Sequence, residues 1–144
     1  MTRIITRTTL AGSGALLSLI GAAIMIVPRN FLAISRVFVE HDPGLMSELA
    51  APSGLLITTG AVMILGSIKL RFSNLALSIG AIVYGSYGVC RLISLAVHGF
   101  PTVSLIAAMI IELAIAALLI ALGQSTSHAE WQSKAGSYVG EMIP

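Results

Sequence analysis

The chain has 144 residues, 56% of them hydrophobic and only 10% charged, with a mean hydropathy of +0.96 and a formal net charge of +2. A soluble domain of this size needs far more polar cover, so these values exclude a water-soluble fold and point to a bilayer. The small positive excess comes with no basic patch interleaved with aromatics, which excludes a nucleic-acid partner.

Crossing ~30 Å of hydrocarbon at ~1.5 Å per residue takes roughly 18 or more apolar residues. Four such runs follow one another. The first covers about residues 10–27, after Arg3 and Arg7 and before Pro28-Arg29-Asn30. Arg3, Arg7 and the small trio Gly21-Ala22-Ala23 also fit a secretory leader. We expect the segment to stay as the first membrane helix.

The connection from Pro28 to Glu48 is the longest. Phe31, Ile34 and Phe38 recur in it at helical spacing, with Arg29, Arg36 and Glu40 elsewhere on the wheel, which predicts a short helix in the interface. Asp42-Pro43-Gly44 then reads as a turn. Such an element serves either as a lid packed on the bundle end or as a gate over an outward cavity.

The second run covers about residues 49–68, with Pro52 in its first turn, where a missing N–H costs little, and Lys69 and Arg71 after it. Gly14, Ser18, Gly21 and Ala22 in the first run, and Gly54, Thr58, Ala61 and Ser67 in the second, with Gly60 on a neighbouring face, are small residues at intervals that let helices approach closely. They serve packing within the bundle or between two copies of the chain.

The third run covers about 72–97 and the fourth about 102–122, joined by His98-Gly99-Phe100-Pro101. So short a link makes these helices antiparallel neighbours. From Gln124 the chain turns polar, and Ser127-His128-Ala129-Glu130 fits a capping box ahead of Trp131, Lys134 and Tyr138. The tail over 124–144 is expected to form a short cytoplasmic helix anchored at the membrane surface by its aromatics. The fold class is therefore all-α: a polytopic, antiparallel bundle of four transmembrane helices in one domain over 1–144, with a short interfacial helix in the first loop and a short helix in the tail. Backbone groups in lipid must be satisfied within each segment, and these runs are too uniform for the alternating strands of a barrel.

Arg3, Arg7, Lys69, Arg71 and Lys134 fall on the side of the N-terminus, against Arg29 and Arg36 on the other. The side richer in Lys and Arg is the inner one, so both termini are expected in the cytoplasm and the acidic Glu40, Asp42 and Glu48 outside. A lone cysteine, Cys90, permits no intramolecular disulfide and no CxxC redox pair, and is expected to be a small buried hydrophobe.

Two charges lie where charges are expensive: Arg91 in the third run and Glu112 in the fourth. Tyr84, Tyr87, Arg91, Ser94 and His98 follow one another at steps of three or four residues, which puts all five on one helix face. That face should point into the bundle, since an Arg at mid-membrane costs ~2.5–3.5 kcal/mol on insertion scales. Counted from the hairpin, Arg91 lies about 10 Å deep and Glu112 about 16 Å, a mismatch that two long side chains span. A salt bridge between the two helices is the economical arrangement, with Tyr84 or Tyr87 able to add hydrogen bonds. The pair either sets the register of these helices or lines an outward pocket, where Arg91 would hold an anionic head group or Glu112 would exchange protons.

His98, with Glu48 and His41, forms no ligand motif, so neither a metal nor a cofactor is expected. No serine sits in an elbow motif and there is no phosphate loop.

Cys90-Arg91-Leu92-Ile93-Ser94, His98-Gly99-Phe100-Pro101 and Glu112-Leu113, with Pro52-Ser53-Gly54-Leu55-Leu56 at the start of the second run, resemble the DUF4345 family of small four-helix bacterial membrane proteins. Arg-x-x-Ser, a Gly-x-Pro turn and a Glu in the last helix recur in that family, and the likeness spans residues 48–122. It implies the fold and the bacterial inner membrane, and no activity, since the family's function is unknown. An outline similarity to DoxX-like four-helix proteins is architectural only.

Three functions compete. The reading we favour is a binding protein or non-catalytic subunit that holds a lipid or small amphipathic ligand around Arg91 and Glu112, alone, as a homo-oligomer or in a larger membrane complex. The alternative is a small proton-coupled transporter using Glu112; four-helix multidrug carriers carry their key Glu in the first helix, which has no charge here between Arg7 and Arg29. An intramembrane enzyme comes last, because no nucleophile stands with its base.

Overall fold

The computed structural model describes residues 2–40 and 42–141, with side chains described over 3–40 and 42–125. The described residues form five α-helices and one 3-10 turn: α1 (Thr2–Ile26), α2 (Pro28–Ile34), α3 (Pro43–Ile68), the turn Leu70–Phe72, α4 (Ser73–His98) and α5 (Val103–Glu141). Four of the helices are long and apolar enough to cross a membrane. Outward faces carry exposed apolar side chains such as Leu19, Leu55, Ile82 and Ile110. Faces of this kind, on helices long enough to span a bilayer, suit lipid tails.

Local chemistry sets each boundary. Val27, held by the following proline, has φ −132° and ψ 54°, outside the helical region. The chain bends there and restarts with Pro28 at the first helical position, where no N–H is missed. At the far end of α2, Arg36 N–H donates to the Ala33 carbonyl at 2.9 Å and Val37 N–H to that of Leu32 at 3.1 Å. These two bonds close a Schellman cap, with Arg36 in the left-handed position at φ 59°.

Asp42 and Pro43 do more than turn the chain. The Asp42 carboxylate accepts the Leu45 N–H at 2.8 Å and Pro43 occupies the first turn, so α3 begins at Pro43 and not near residue 49. Pro52 consequently lies inside the helix, where it deprives the Glu48 carbonyl of its usual donor. Pro52 sits in the half of α3 nearer that start.

The last helix also departs from the expected pattern. α5 runs unbroken through Glu141. Its 39 residues would extend ~58 Å, about twice the hydrocarbon thickness, so its second half must leave the bilayer. No proline interrupts it, and the preceding turns already satisfy the backbone donors that a cap at Ser127 would serve. The side chains of Ser127, His128, Glu130, Trp131, Lys134 and Tyr138 lie outside the described residues.

α1 packs along α3, α3 along α4 and α4 along α5, while α1 meets α5 only loosely. The α1–α3 seam is the closest. A Cβ added at Gly14 would lie 2.8 Å from the Gly60 carbonyl oxygen, and one at Gly21 2.7 Å from that of Ser53. Gly60 in turn faces Ser18 and the Gly14 backbone. The small residues of α1 thus pack inside the bundle against the Ser53, Leu56 and Gly60 face of α3. Thr58 and Ala61 are exposed, and a Cβ at Gly54 would meet nothing. The core is one cluster of Leu10, Leu17, Leu56, Met63, Leu77, Leu119 and Leu122 with Ala76, Tyr84 and Ala116.

Two buried or half-buried ties close the end holding the N-terminus. Arg7 Nε donates to the Ser67 carbonyl at 2.8 Å, placing a cation on the C-terminal carbonyls of α3. Ser73 Oγ donates to the Gly66 carbonyl at 2.7 Å across the turn from α3 to α4. At the opposite end, α4 stops at Gly99, whose φ of +88° suits glycine alone, and the chain re-enters α5 four residues later.

Candidate functional site

The structure brings Arg91 of α4 and Glu112 of α5 together. Arg91 Nε lies 3.0 Å from Glu112 Oε2 and 3.2 Å from Oε1, so one N–H serves both carboxylate oxygens. The bundle makes this approach possible through Gly88, three residues before Arg91: a Cβ there would come within 2.7 Å of the Leu113 side chain. A residue larger than glycine there would force the Leu113 side chain of α5 to move.

The pair is not saturated. A guanidinium has five N–H donors in a planar fork, and the strong carboxylate geometry uses two of its edges in parallel. Here only Nε is engaged, and among the described residues the four terminal N–H of Arg91 have no hydrogen-bond acceptor. The Arg91 side chain keeps 36% of its surface accessible, against 17% for Glu112.

Arg91 and Glu112 both line a cavity of about 310 Å³. All five helices contribute walls. Arg91, Glu112 and Tyr87 form the polar end; Leu16, Ile20 and Ile24 of α1 and Leu105 and Ile111 of α5 supply apolar walls. Phe31 and Leu32 of α2, with Ser35 at its C-cap, close it from the loop side. The Thr102 hydroxyl donates to the Ser35 carbonyl at 3.1 Å, which ties the end of α2 to the start of α5. Phe31 and Leu32 of α2 and its cap residue Ser35 thus cover the cavity, while Ile34 and Phe38 are exposed. Phe38 lies beyond the end of the helix.

The five-residue polar stripe of α4 divides along its length. Tyr84 is buried, Tyr87 and Arg91 are half-buried, and Ser94 and His98 are exposed. Their common angle around the helix is as spacing predicts, yet by Ser94 the helix has risen past the side chains that cover its lower turns. Ser94 lines a crevice of about 70 Å³ that Arg91 also borders, with Pro101 and Met109. Tyr84 also does not reach the ion pair. Its hydroxyl donates to the Ser13 carbonyl of α1 at 2.7 Å, leaving the ring as a wall of the cavity. Tyr87 shares the cavity with Arg91 and Glu112, and among the described residues its hydroxyl has no hydrogen-bond partner. Cys90 is exposed rather than buried, because the inward arc of α4 is taken by Tyr84, Tyr87, Gly88 and Arg91.

His41 lies outside the described residues. Among those described, no group of three or more His, Cys, Asp or Glu side chains is placed to hold a metal ion. A second hollow of about 360 Å³ between α4 and α5, around Asn74, Ser78 and Gln124, is lined by no charged residue among those described.

No curated protein and no solved structure matches the chain. Residues 5–122 match the family model described as a domain of unknown function, DUF4345. With that model covering most of the 144 residues and all four helices able to span a membrane, the chain is a membrane protein that belongs to the DUF4345 family.

Proposed function

We propose that the protein is a non-catalytic binding protein of the bacterial inner membrane, which holds a lipid or small amphipathic ligand in the cavity at Arg91 and Glu112. One observation carries this reading: an apolar chamber of about 310 Å³, ending at a guanidinium whose four terminal N–H have no acceptor among the described residues. Small-molecule pockets are built this way, mostly apolar with a few convergent polar groups, and their volumes run from ~300 to ~1,000 Å³. Donors without acceptors at membrane depth are costly, and a ligand head group would remove that cost.

The distribution of Lys and Arg supports both termini in the cytoplasm, with the end that carries α2 and the cavity outward. The same geometry favours a carrier less, because both Glu112 oxygens are held by Arg91.

Native mass spectrometry of protein extracted gently from membranes tests the reading. We expect a retained adduct of lipid mass on the wild type and its loss from folded Arg91→Ala. Wild-type protein that is free of any adduct, and that takes up none from added lipid extract, overturns the assignment.

A further inference from the structure

The proposed function leaves the class of head group open, and the charge balance of the site narrows it. Resting on that function, we infer that the head group taken by Arg91 is neutral and carries a hydrogen-bond-accepting carbonyl, as in an ester or amide, on a single apolar chain. An anionic head group is the wrong partner.

Glu112 already neutralises the guanidinium from 3.0 Å away. What remains on Arg91 is donor capacity without net charge: four terminal N–H, none with an acceptor among the described residues. An entering carboxylate or phosphate would satisfy those donors but leave the chamber with an excess negative charge beside Glu112. In surroundings of low dielectric constant an unmatched charge costs far more than a hydrogen bond returns. Among the described residues no other cation lines the cavity to absorb it. A carbonyl oxygen accepts up to two of those N–H bonds and leaves the site neutral. Tyr87, whose hydroxyl is without a partner among the described residues, adds a further donor on the same wall.

The remainder of the chamber sets the tail. Leu16, Ile20 and Ile24 lie at four-residue steps along α1, so they form one apolar strip ~12 Å long. Tyr84 closes the far end with its ring, held by its bond to Ser13. Leu16 and Ile111 flank the loose α1–α5 side and keep 38% and 51% of their surface exposed. An apolar chain therefore has a way in from the hydrocarbon, without crossing the polar end.

The test compares methyl decanoate with decanoate, which share a tail and differ only in head-group charge. Binding is measured by equilibrium dialysis of labelled probe on delipidated protein in a nonionic detergent. The pH is kept alkaline enough to ionise the acid, and affinities are expressed per mole fraction of probe in the micelle. The expected result is saturable binding of the ester about tenfold or more tighter than of the carboxylate, with the order reversed in Glu112→Gln, whose site carries a net positive charge. Saturable binding that favours the carboxylate in the wild type overturns this inference and leaves the proposed function standing. Absence of saturable binding for both probes overturns the two together. If Glu112→Gln does not fold, the wild-type ratio alone decides.

Discussion

Arg91 and Glu112 meet through a single guanidinium N–H, at 3.0 and 3.2 Å from the two carboxylate oxygens, and both residues line one cavity. The ion pair therefore ties α4 to α5 without using up its own hydrogen-bonding capacity. On the proposed function the pair would serve in two ways, with Nε tying the helices and the terminal amino groups holding the ligand.

This division predicts the energetics of removing each charge. Breaking a fully buried pair by deleting one partner costs 3–5 kcal/mol, and an exposed pair contributes under about 1 kcal/mol. With Arg91 about one-third exposed, Arg91→Met and Glu112→Gln should each cost about 1–2 kcal/mol. The double variant should be more stable than the sum of the two losses by about 1 kcal/mol, because neither charge is left unmatched. Reversible unfolding in mixed micelles measures this cycle. Strict additivity would show that the pair does not couple the helices.

The α1–α3 seam predicts a contrast between two glycines six residues apart. A methyl group at Gly60 would collide with Ser18 and with the Gly14 backbone, which cannot move without separating the helices. Gly60→Ala should therefore cost about 1–3 kcal/mol, the usual range for overpacking. Gly54→Ala adds its methyl to open space and should be neutral or slightly stabilising through helix propensity. Thermal midpoints of the two variants in the same detergent decide it; equal effects would mean that α1 and α3 do not pack through this face.

These contrasts mark what was legible in the sequence. Apolar run length gave the four spanning helices, and the four-residue link between the third and fourth made them neighbours, because both depend on local composition and chain connectivity. The five-residue stripe on α4 predicted a shared angle, but Ser94 and His98 share it at a height where nothing covers them. Gly54, Thr58 and Ala61 had the same small-residue spacing as the face that packs, and only the tertiary arrangement chose Gly60. Asp42-Pro43 held a readable helix start, an N-cap ahead of Pro at the first position, that the turn propensity of the same residues masked. The bonds from Tyr84 to Ser13 and from Arg7 to Ser67 join residues 71 and 60 positions apart, and a backbone acceptor leaves no mark in the sequence.

Tyr84 offers a third expectation. Its hydroxyl bonds a carbonyl within α1, which retains its place in that helix's own ladder. Tyr84→Phe thus removes one interhelical bond without stranding a buried polar atom, and such bonds in membrane helices average about 0.6 kcal/mol. A loss of about 0.5–1.5 kcal/mol in unfolding free energy is expected, with the lipid adduct at Arg91 retained, since the ring that walls the cavity remains. If the adduct disappears from folded Tyr84→Phe, the hydroxyl does more than tie α4 to α1.

The cap of α2 gives the last prediction, and it concerns the cover of the cavity. Arg36 occupies the left-handed position of a Schellman cap at φ 59°, a conformation that costs a residue with a Cβ roughly 1–2 kcal/mol and that glycine adopts freely. Glycine gives back part of this gain through greater freedom in the unfolded chain. Arg36→Gly should therefore stabilise the protein by about 0.5–1 kcal/mol, read as a raised thermal midpoint. The gain should also be local. Hydrogen exchange of the amides of Phe31 to Val37 should slow, because the variant favours the capped form of α2 over its frayed forms, whereas exchange in the α1–α3 seam should not change. Faster exchange in α2 would mean that the guanidinium of Arg36 holds the segment in place and outweighs the strain of its backbone.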